Sequence, residues 1–363
     1  MQTLEKKIAI VCDWIKDWGA ELVLEQVLES FPEADIFTSV FFQDNNPIFK
    51  DRKITTSFIQ KIAFLNKSHK LALSYRPLAF ESFDLSEYDI VISLTSAESK
   101  VITKPNTLHI CYCHTPTRYF WSHYHEYLNM MEFILNFFKW LMPKMVHKLR
   151  QWDYLAAQRP DYFIANSQNT ADRIKKYYDR EGEVIYPIEI KEFKLNEKKD
   201  DFYLYVRCIP YKKFDLIVEA FNKNGRKLIL VTNTDNKLYR ELREKSKDNI
   251  EWKFNISNEE KNELFSQAKA FLFPPEEDFG LVPIEAMACT PVIAYKKGAL
   301  ETVIDKKTGL FFNKQTSNSL NKQIENFEEM NFDAKFIREH AEKFNKEIFK
   351  ENILKFINKK LKD

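Results

Sequence analysis

Glycine is the residue this chain most lacks. Six glycines in 363 residues is far below the roughly 7% of an average protein. Few positions are therefore left for positive-φ turns or for backbone packed against a phosphate. Internal repeats and low-complexity tracts are also missing, which excludes solenoid and linker-type proteins. No stretch approaches the roughly 18 uninterrupted apolar residues of a membrane span. Glu5 interrupts the N-terminal stretch too early for a signal peptide, so a cytoplasmic location is expected. An excess of one charge is absent as well: 55 basic and 53 acidic side chains leave a net charge of +2, and general nucleic-acid binding is not expected. The five cysteines, Cys12, Cys111, Cys113, Cys208 and Cys289, are odd in number and lie in apolar, strand-like surroundings. They read as core thiols. Cys111-Tyr112-Cys113 beside His114 has the wrong spacing for zinc and no second Cys/His pair, so no metal is expected.

The length favours two domains over one very large core. With 44% hydrophobic and 30% charged residues the chain is globular. Apolar runs alternate with helical periodicity throughout. Residues 7–12, 34–40, 88–94, 108–113 and 162–165 read as strands in the first half. Residues 202–206, 227–232, 250–254, 270–273, 291–295 and 308–312 repeat the pattern in the second, with helices between and a short helix start at 301–303. Such alternation predicts the α/β class, with parallel sheets covered on both faces. Residues 191–201 are charged and without apolar period, and a boundary falls there. The expected domains are 1–187 and 188–345, with a C-terminal helix over 346–363 that packs back on the first domain.

The richest chemistry lies between residues 273 and 302. A strand ends at Phe273, Gly280 permits a turn, and Pro283 suits the start of a helix because it needs no donor there. Glu277 sits on the loop and Glu285 in the first turns of the helix, where an open α/β sheet holds ligands. A pair of carboxylates suits sugar hydroxyls, since each ionised group accepts two O–H bonds. The bland alternative is a helix cap facing solvent.

His114, Arg118, Tyr119 and Trp121 follow the strand 108–113 at the same rim of the first domain. A lone histidine is more often structural, but these four together form a fair pocket. Residues 127–150 combine Met, Phe, Leu and Trp with Lys139, Lys144, Lys148 and Arg150. They read either as a membrane-surface contact or as two amphipathic helices, broken at Pro143, that cover the pocket. Gly19, in a strand-to-helix turn, suits either phosphate binding or an ordinary turn.

Six stretches, DWGAELVLEQVLESFPEADIFT, CYCHTPTRYFW, ANSQNTADRIKKYY, VIYP, YLYVRCIPYKKFDLIVEAF and FPPEEDFGLVPIEAMACTPVIAY, occur in the order found in one family. Over nearly its whole length the chain resembles the family 4 glycosyltransferases of the GT-B fold, in particular bacterial polysaccharide and O-antigen mannosyltransferases. The resemblance implies two Rossmann-like domains facing each other across a cleft, and retaining, metal-independent transfer of a sugar with no cofactor. The co-substrate would be a nucleotide sugar, GDP-mannose first. The acceptor would be lipid-linked or a polysaccharide, reached from the cytoplasm at the inner face of the membrane. Glu285 would hold the donor ribose and Glu277 the transferred sugar, beside Phe279, Gly280 and Leu281. Arg207 and Lys212 would grip the pyrophosphate, with the Gly19 turn approaching it from the other domain. His114 would face the reacting sugar, with Arg118, Tyr119 and Trp121 on the acceptor side. A UDP-sugar enzyme, or a nucleotide-sugar binder without transfer activity, is the alternative.

The departures from the family share a theme. A second glycine before Ala20, a glycine or serine before Arg207, a glycine between Cys289 and Thr290 and one beside Gly298, all usual in the family, are missing rather than replaced. Shortening the 206–212 loop by one residue shifts Arg207 against Lys212 by up to about 3.5 Å of chain reach. Either the enzyme tolerates compressed turns, or the polypeptide carries glycines that the written sequence omits, as when a codon is read as glycine under a variant code.

Overall fold

The computed structural model describes residues 6–15, 21–42, 47–67, 69–130, 141–187, 196, 198–209, 212–277, 279–297 and 299–362. They fall into two compact units, residues 1–187 with 349–363, and residues 188–348.

The first unit contains β1 (Ile8–Cys12), α1 (Glu21–Ser30), β2 (Asp35–Thr38), β3 (Ile54–Thr56), α2 (His69–Ala72), α3 (Arg76–Glu81), β4 (Ile90–Thr95) and β5 (Leu108–Cys113). It continues with α4 (Tyr124–Met130), α5 (Leu141–Ala156), β6 (Tyr162–Ala165), α6 (Gln168–Tyr178) and β7 (Gly182–Val184). The strands form one parallel sheet in the order β3-β2-β1-β4-β5-β6-β7. Successive residues of β1 serve opposite faces: Ile10 and Cys12 enter one core cluster, Ala9 and Val11 the other. Burial on both faces is why the strand reads as an unbroken apolar run rather than an alternation.

The second unit contains β8 (Tyr203–Val206), α7 (Phe214–Asn224), β9 (Leu228–Thr232), α8 (Lys237–Glu244), β10 (Ile250–Phe254), α9 (Asn258–Gln267) and β11 (Ala270–Phe273). Then follow α10 (Leu281–Met287), β12 (Val292–Tyr295), β13 (Gly309–Phe312), α11 (Ser317–Glu328) and α12 (Ala334–Ala341). Its parallel sheet has the order β10-β9-β8-β11-β12-β13. The same division of labour recurs, with Tyr203 and Tyr205 in one cluster and Leu204 and Val206 in the other. The last helix, α13 (Lys346–Lys360), returns Phe349, Ile353, Phe356 and Ile357 to the core of the first unit beside Ile10, Ile92 and Ile110.

Helix starts follow local chemistry. Ser167, Asn236, Ser257, Thr316 and Asp333 each cap a helix by accepting from a backbone N–H of its first turn, which satisfies a donor that has no partner within the helix. Two expectations need correction. Residues 301–303 form a turn, not a helix start. Pro143 lies within α5 rather than at a break, and residues 131–140 before it lie outside the described residues. The short outer strands β3 and β7 add to the strands that the sequence predicts. Among the described residues no helix is long and apolar enough to cross a membrane.

Candidate active site

In the second unit the chain runs outward from β8 in one direction and from β11 in the other, so strand order reverses between these neighbours. Loops at the carboxyl ends of the two strands on either side of such a reversal form the usual ligand crevice of an open α/β sheet. The loop after β8 carries Arg207 and Lys212; the loop after β11 carries Glu277. Here the Lys212 ammonium pairs with the Glu277 carboxylate, with the two side chains only 10% and 18% exposed.

The β8 loop is folded so that these basic side chains separate. The Arg207 N–H donates to the Val231 carbonyl at 2.9 Å, and the Arg207 carbonyl accepts from the Ile209 N–H at 2.8 Å. Arg207 takes a left-handed φ of 66° and its side chain is exposed. The Lys212 N–H donates to Ile209 at 2.8 Å, and the Lys212 carbonyl accepts from the Tyr205 hydroxyl at 2.8 Å, so Lys212 turns inward. Lys213, also left-handed at 60°, then opens α7.

On the facing loop, the Pro274 carbonyl accepts from the Gln315 amide at 2.8 Å. Gly280, with φ 81°, is the N-cap of α10 and makes the turn that an L side chain would resist. Phe279 is buried against Phe344. Leu281 and Glu285 are half-buried on α10, one turn apart. Asp278, Gly298 and Gly19 lie outside the described residues, as do residues 131–140 of the basic aromatic stretch.

In the first unit strand order reverses between β1 and β4. Asp13, after β1, accepts the N–H groups of Ser96 at 2.6 Å and Ser99 at 2.8 Å from the loop after β4. His114, after β5, is half-buried. Its N–H donates to Thr95 at 2.8 Å, its carbonyl accepts from the Thr170 hydroxyl at 3.2 Å, and its ring meets the edge of Tyr112. Arg118 is half-buried beside it in the chain. The polar ends of Tyr119 and Trp121 turn inward. Tyr119 donates to Glu98 at 2.7 Å and accepts from Arg76 at 3.1 Å; Trp121 donates to Asp153 at 2.7 Å. Arg76 and Glu98 form an ion pair with 5% and 0% exposure. Burial raises the Glu98 carboxyl to about 7 against the pull of Arg76. Burial is the largest influence on the Arg76 guanidinium and works to lower it, but the charges of Glu98 and Asp13 together with the Tyr119 contact outweigh it, and the net shift is upward. All five cysteines are free and buried, and burial pushes the Cys111 thiol up to about 12.

Residues 19–188 match the family Glycosyltransferase Family 4, and residues 187–350 match Glycosyl transferases group 1. The chain is a family 4-type glycosyltransferase. Solved structures share its architecture: Anabaena Alr3699/HepE in complex with UDP and glucose is 16% identical, with a TM-score of 0.66 over 98% of this chain and 100% of that one. A glycosyltransferase from Rickettsia africae ESF-5 is 16% identical, with a TM-score of 0.63 over 99% and 100%. WaaG, a glycosyltransferase involved in lipopolysaccharide biosynthesis, is 14% identical, with a TM-score of 0.58 over 92% and 93%. No curated protein matches the chain. The fold is GT-B, built from two Rossmann-like α/β units.

Within this glycosyltransferase the geometry joins Lys212 to Glu277 in the second unit, while His114, Arg118, Tyr119 and Trp121 belong to the first. Sequence reasoning missed Asp13, Arg76, Glu98, Lys100 and Asp153, the polar groups that brace the first unit's rim. In the polar run Ser96-Ala97-Glu98-Ser99-Lys100, Glu98 and Lys100 are 0% and 1% exposed.

Proposed function

We propose that the chain transfers a hexosyl group, mannose from GDP-mannose first, to a lipid-linked or polysaccharide acceptor with retention of anomeric configuration. The observation that carries this reading is the Lys212–Glu277 pair at the strand reversal of the second unit. Each partner holds in reserve what a sugar diphosphate needs: an ammonium for phosphate oxygens and a carboxylate for sugar hydroxyls. Donor binding exchanges the internal pair for two ligand contacts. Exposed Arg207 adds a second cation from the same loop, and Glu285 accepts the ribose diol.

In the reaction the bond between the anomeric carbon and the diphosphate oxygen breaks, and a bond to the acceptor oxygen forms on the same face. The acceptor proton leaves with the diphosphate. Lys212 and Arg207 stabilise the charge that develops on the departing diphosphate, which is how such a transfer proceeds without a bound metal. His114, Arg118, Tyr119 and Trp121 serve the acceptor side. Acceptor delivery from a membrane surface is supported by the face around Ser74. This residue contacts Met145 of α5, lies among exposed Leu71, Tyr75 and Leu78, and Met145 is flanked by exposed Lys144 and Lys148.

A UDP-sugar donor is the second reading, favoured by the Anabaena structures, which hold UDP with glucose and UDP-glucose. Calorimetry with GDP-mannose, UDP-glucose and an ADP-sugar, followed by assay of nucleotide release, separates the two. Tight binding and turnover of GDP-mannose are expected. Binding without turnover of any donor would favour a sugar-nucleotide binder, and no binding would remove the donor assignment.

A further inference from the structure

Asp153 lies on α5 with no exposure to solvent, yet its carboxylate is fully used. One oxygen accepts from the Thr117 hydroxyl at 3.1 Å and contacts the Lys100 ammonium at 2.9 Å. The other accepts from the Trp121 indole at 2.7 Å and the Tyr178 hydroxyl at 2.9 Å. The donors come from separate parts of the unit: the loop after β4, the loop after β5, and the end of α6. One turn earlier on α5, the Arg150 side chain donates to the Phe120 carbonyl at 2.7 Å and lies over the Trp121 ring at 5.5 Å. Helix α5 thus grips the turn 117–121 at its hydroxyl, its carbonyl and its indole.

A buried ion pair is a costly way to gain stability, because well-packed apolar residues of the same volume commonly do as well or better. Lys100 shows the tension: burial is the largest influence and works to lower its pKa, but the Asp153 charge and hydrogen bond, with smaller contributions from Cys111 and Cys113, together outweigh burial and the net shift is upward. What an apolar pair would not supply is direction. Four hydrogen-bonding groups meeting one carboxylate admit a single arrangement of the chain that follows His114, and His114 is itself anchored through its backbone to Thr95 and Thr170.

We propose that Asp153 is a positioning residue for transfer: through Thr117 and Trp121 it sets the His114–Trp121 segment, and so the placement of the His114 ring at the acceptor side. It makes α5, which carries Lys144, Lys148 and Arg150 of the basic aromatic stretch, the element that holds the segment following His114. The consequence for transfer rests on the acceptor-side reading above; the geometric claim does not.

The test uses the full chain labelled at histidine ring carbons, with the charge-neutral double variant Lys100→Met/Asp153→Asn and the single variants Trp121→Phe and Thr117→Val. Each single variant removes one donor to Asp153 and leaves no charge stranded, so the question can be decided even if the double variant does not fold. His114 is assigned by His114→Gln. His340, whose ring bonds the Thr302 carbonyl in the other unit, is the internal control. The expected result is a displaced His114 resonance and an unchanged His340 resonance in folded variants. Where wild type releases nucleotide from GDP-mannose or UDP-glucose, turnover should fall by about tenfold or more. Folded variants whose His114 resonance stays at the wild-type position would overturn the proposal. So would displacement of both resonances, which would make Asp153 a contributor to general stability only. A displaced resonance with unchanged turnover would refute the role in transfer while leaving the donor assignment intact.

Discussion

Lys212 and Glu277 neutralise one another across the strand reversal of the second unit, each largely withdrawn from solvent. Two adjacent parallel strands place opposite charges at the point where an open sheet receives its ligand. The pair is therefore both a structural contact and an occupied half-site that a donor must open.

Removing either partner strands a partly buried charge. Lys212→Ala and Glu277→Ala are each expected to cost about 1–3 kcal/mol, and the double variant less than their sum. Urea unfolding of the four proteins measures this. Lys212→Ala should also lower turnover severely, because no other described side chain in the β8 loop is both cationic and directed inward. Additive stability effects or wild-type turnover would contradict the role given to the pair.

Glu285→Ala should weaken nucleotide binding through loss of the ribose contact. Hydrogen bonds to a charged group contribute about 1.5–3 kcal/mol, roughly a tenfold to hundredfold change in Kd. Calorimetry with GDP and with its 2′,3′-dideoxy form gives the check. Wild type should lose affinity for the dideoxy form, and the variant should bind both alike.

Arg207 holds a left-handed conformation, φ 66°, directly after the junction with Val206 where the resemblance implies a further glycine or serine. Arg207→Gly should raise stability by about 1 kcal/mol through relief of that strain while lowering turnover. Lys213→Gly should give a similar gain and keep turnover. The glycine shortage has a more direct test in the intact mass. A value of 43.3 kDa would match the chain as written, and an excess in whole glycine residues would show that the polypeptide carries glycines beyond it.

Acid stability should show two regimes. Burial holds the His109 imidazole down to about 3 in the fold, against an ordinary 6.5. The unfolded chain therefore takes up a proton that the fold refuses, and stability is lost as pH falls from about 6.5 towards 3. Glu98, raised by burial to about 7 from 4.5, acts in the opposite sense and favours the fold as pH falls from about 7 to 4.5. The two largely offset each other above pH 4.5. Below it His109 is joined by Glu328, whose carboxyl the Arg226 hydrogen bond holds down to about 2. Urea unfolding from pH 7 to 3.5 should give a shallow profile and then a steep decline, with slope near 1.4 kcal/mol per pH unit for each proton taken up. His109→Leu should flatten the decline.

The legible parts of this molecule are those whose chemistry is local. Phe273, Gly280, Pro283 and Glu285 lie within one strand, turn and helix, so residue type and spacing already state their arrangement. Apolar runs such as Ile90-Val91-Ile92 announce strands buried on both faces. The bracing of the first unit is different in kind. Arg76 meets Glu98, and Lys100 meets Asp153, across intervening strands and helices, and a lone charged residue in sequence resembles one in solvent. Only the fold reveals that Tyr119 and Trp121 direct their polar atoms to those carboxylates. The three-residue strands β3 and β7 are too short for any periodicity to register.

Helix α13 gives the two units different histories. Residues 188–348 form a continuous stretch, whereas the first unit's core includes Phe349, Ile353, Phe356 and Ile357. During synthesis the second unit is complete in the chain before the first one is. The sheet around β1 precedes the second unit in the chain, yet the part of its core that α13 fills, beside the α1 residues Val23, Val27 and Leu28, stays open until the ribosome has passed residue 357.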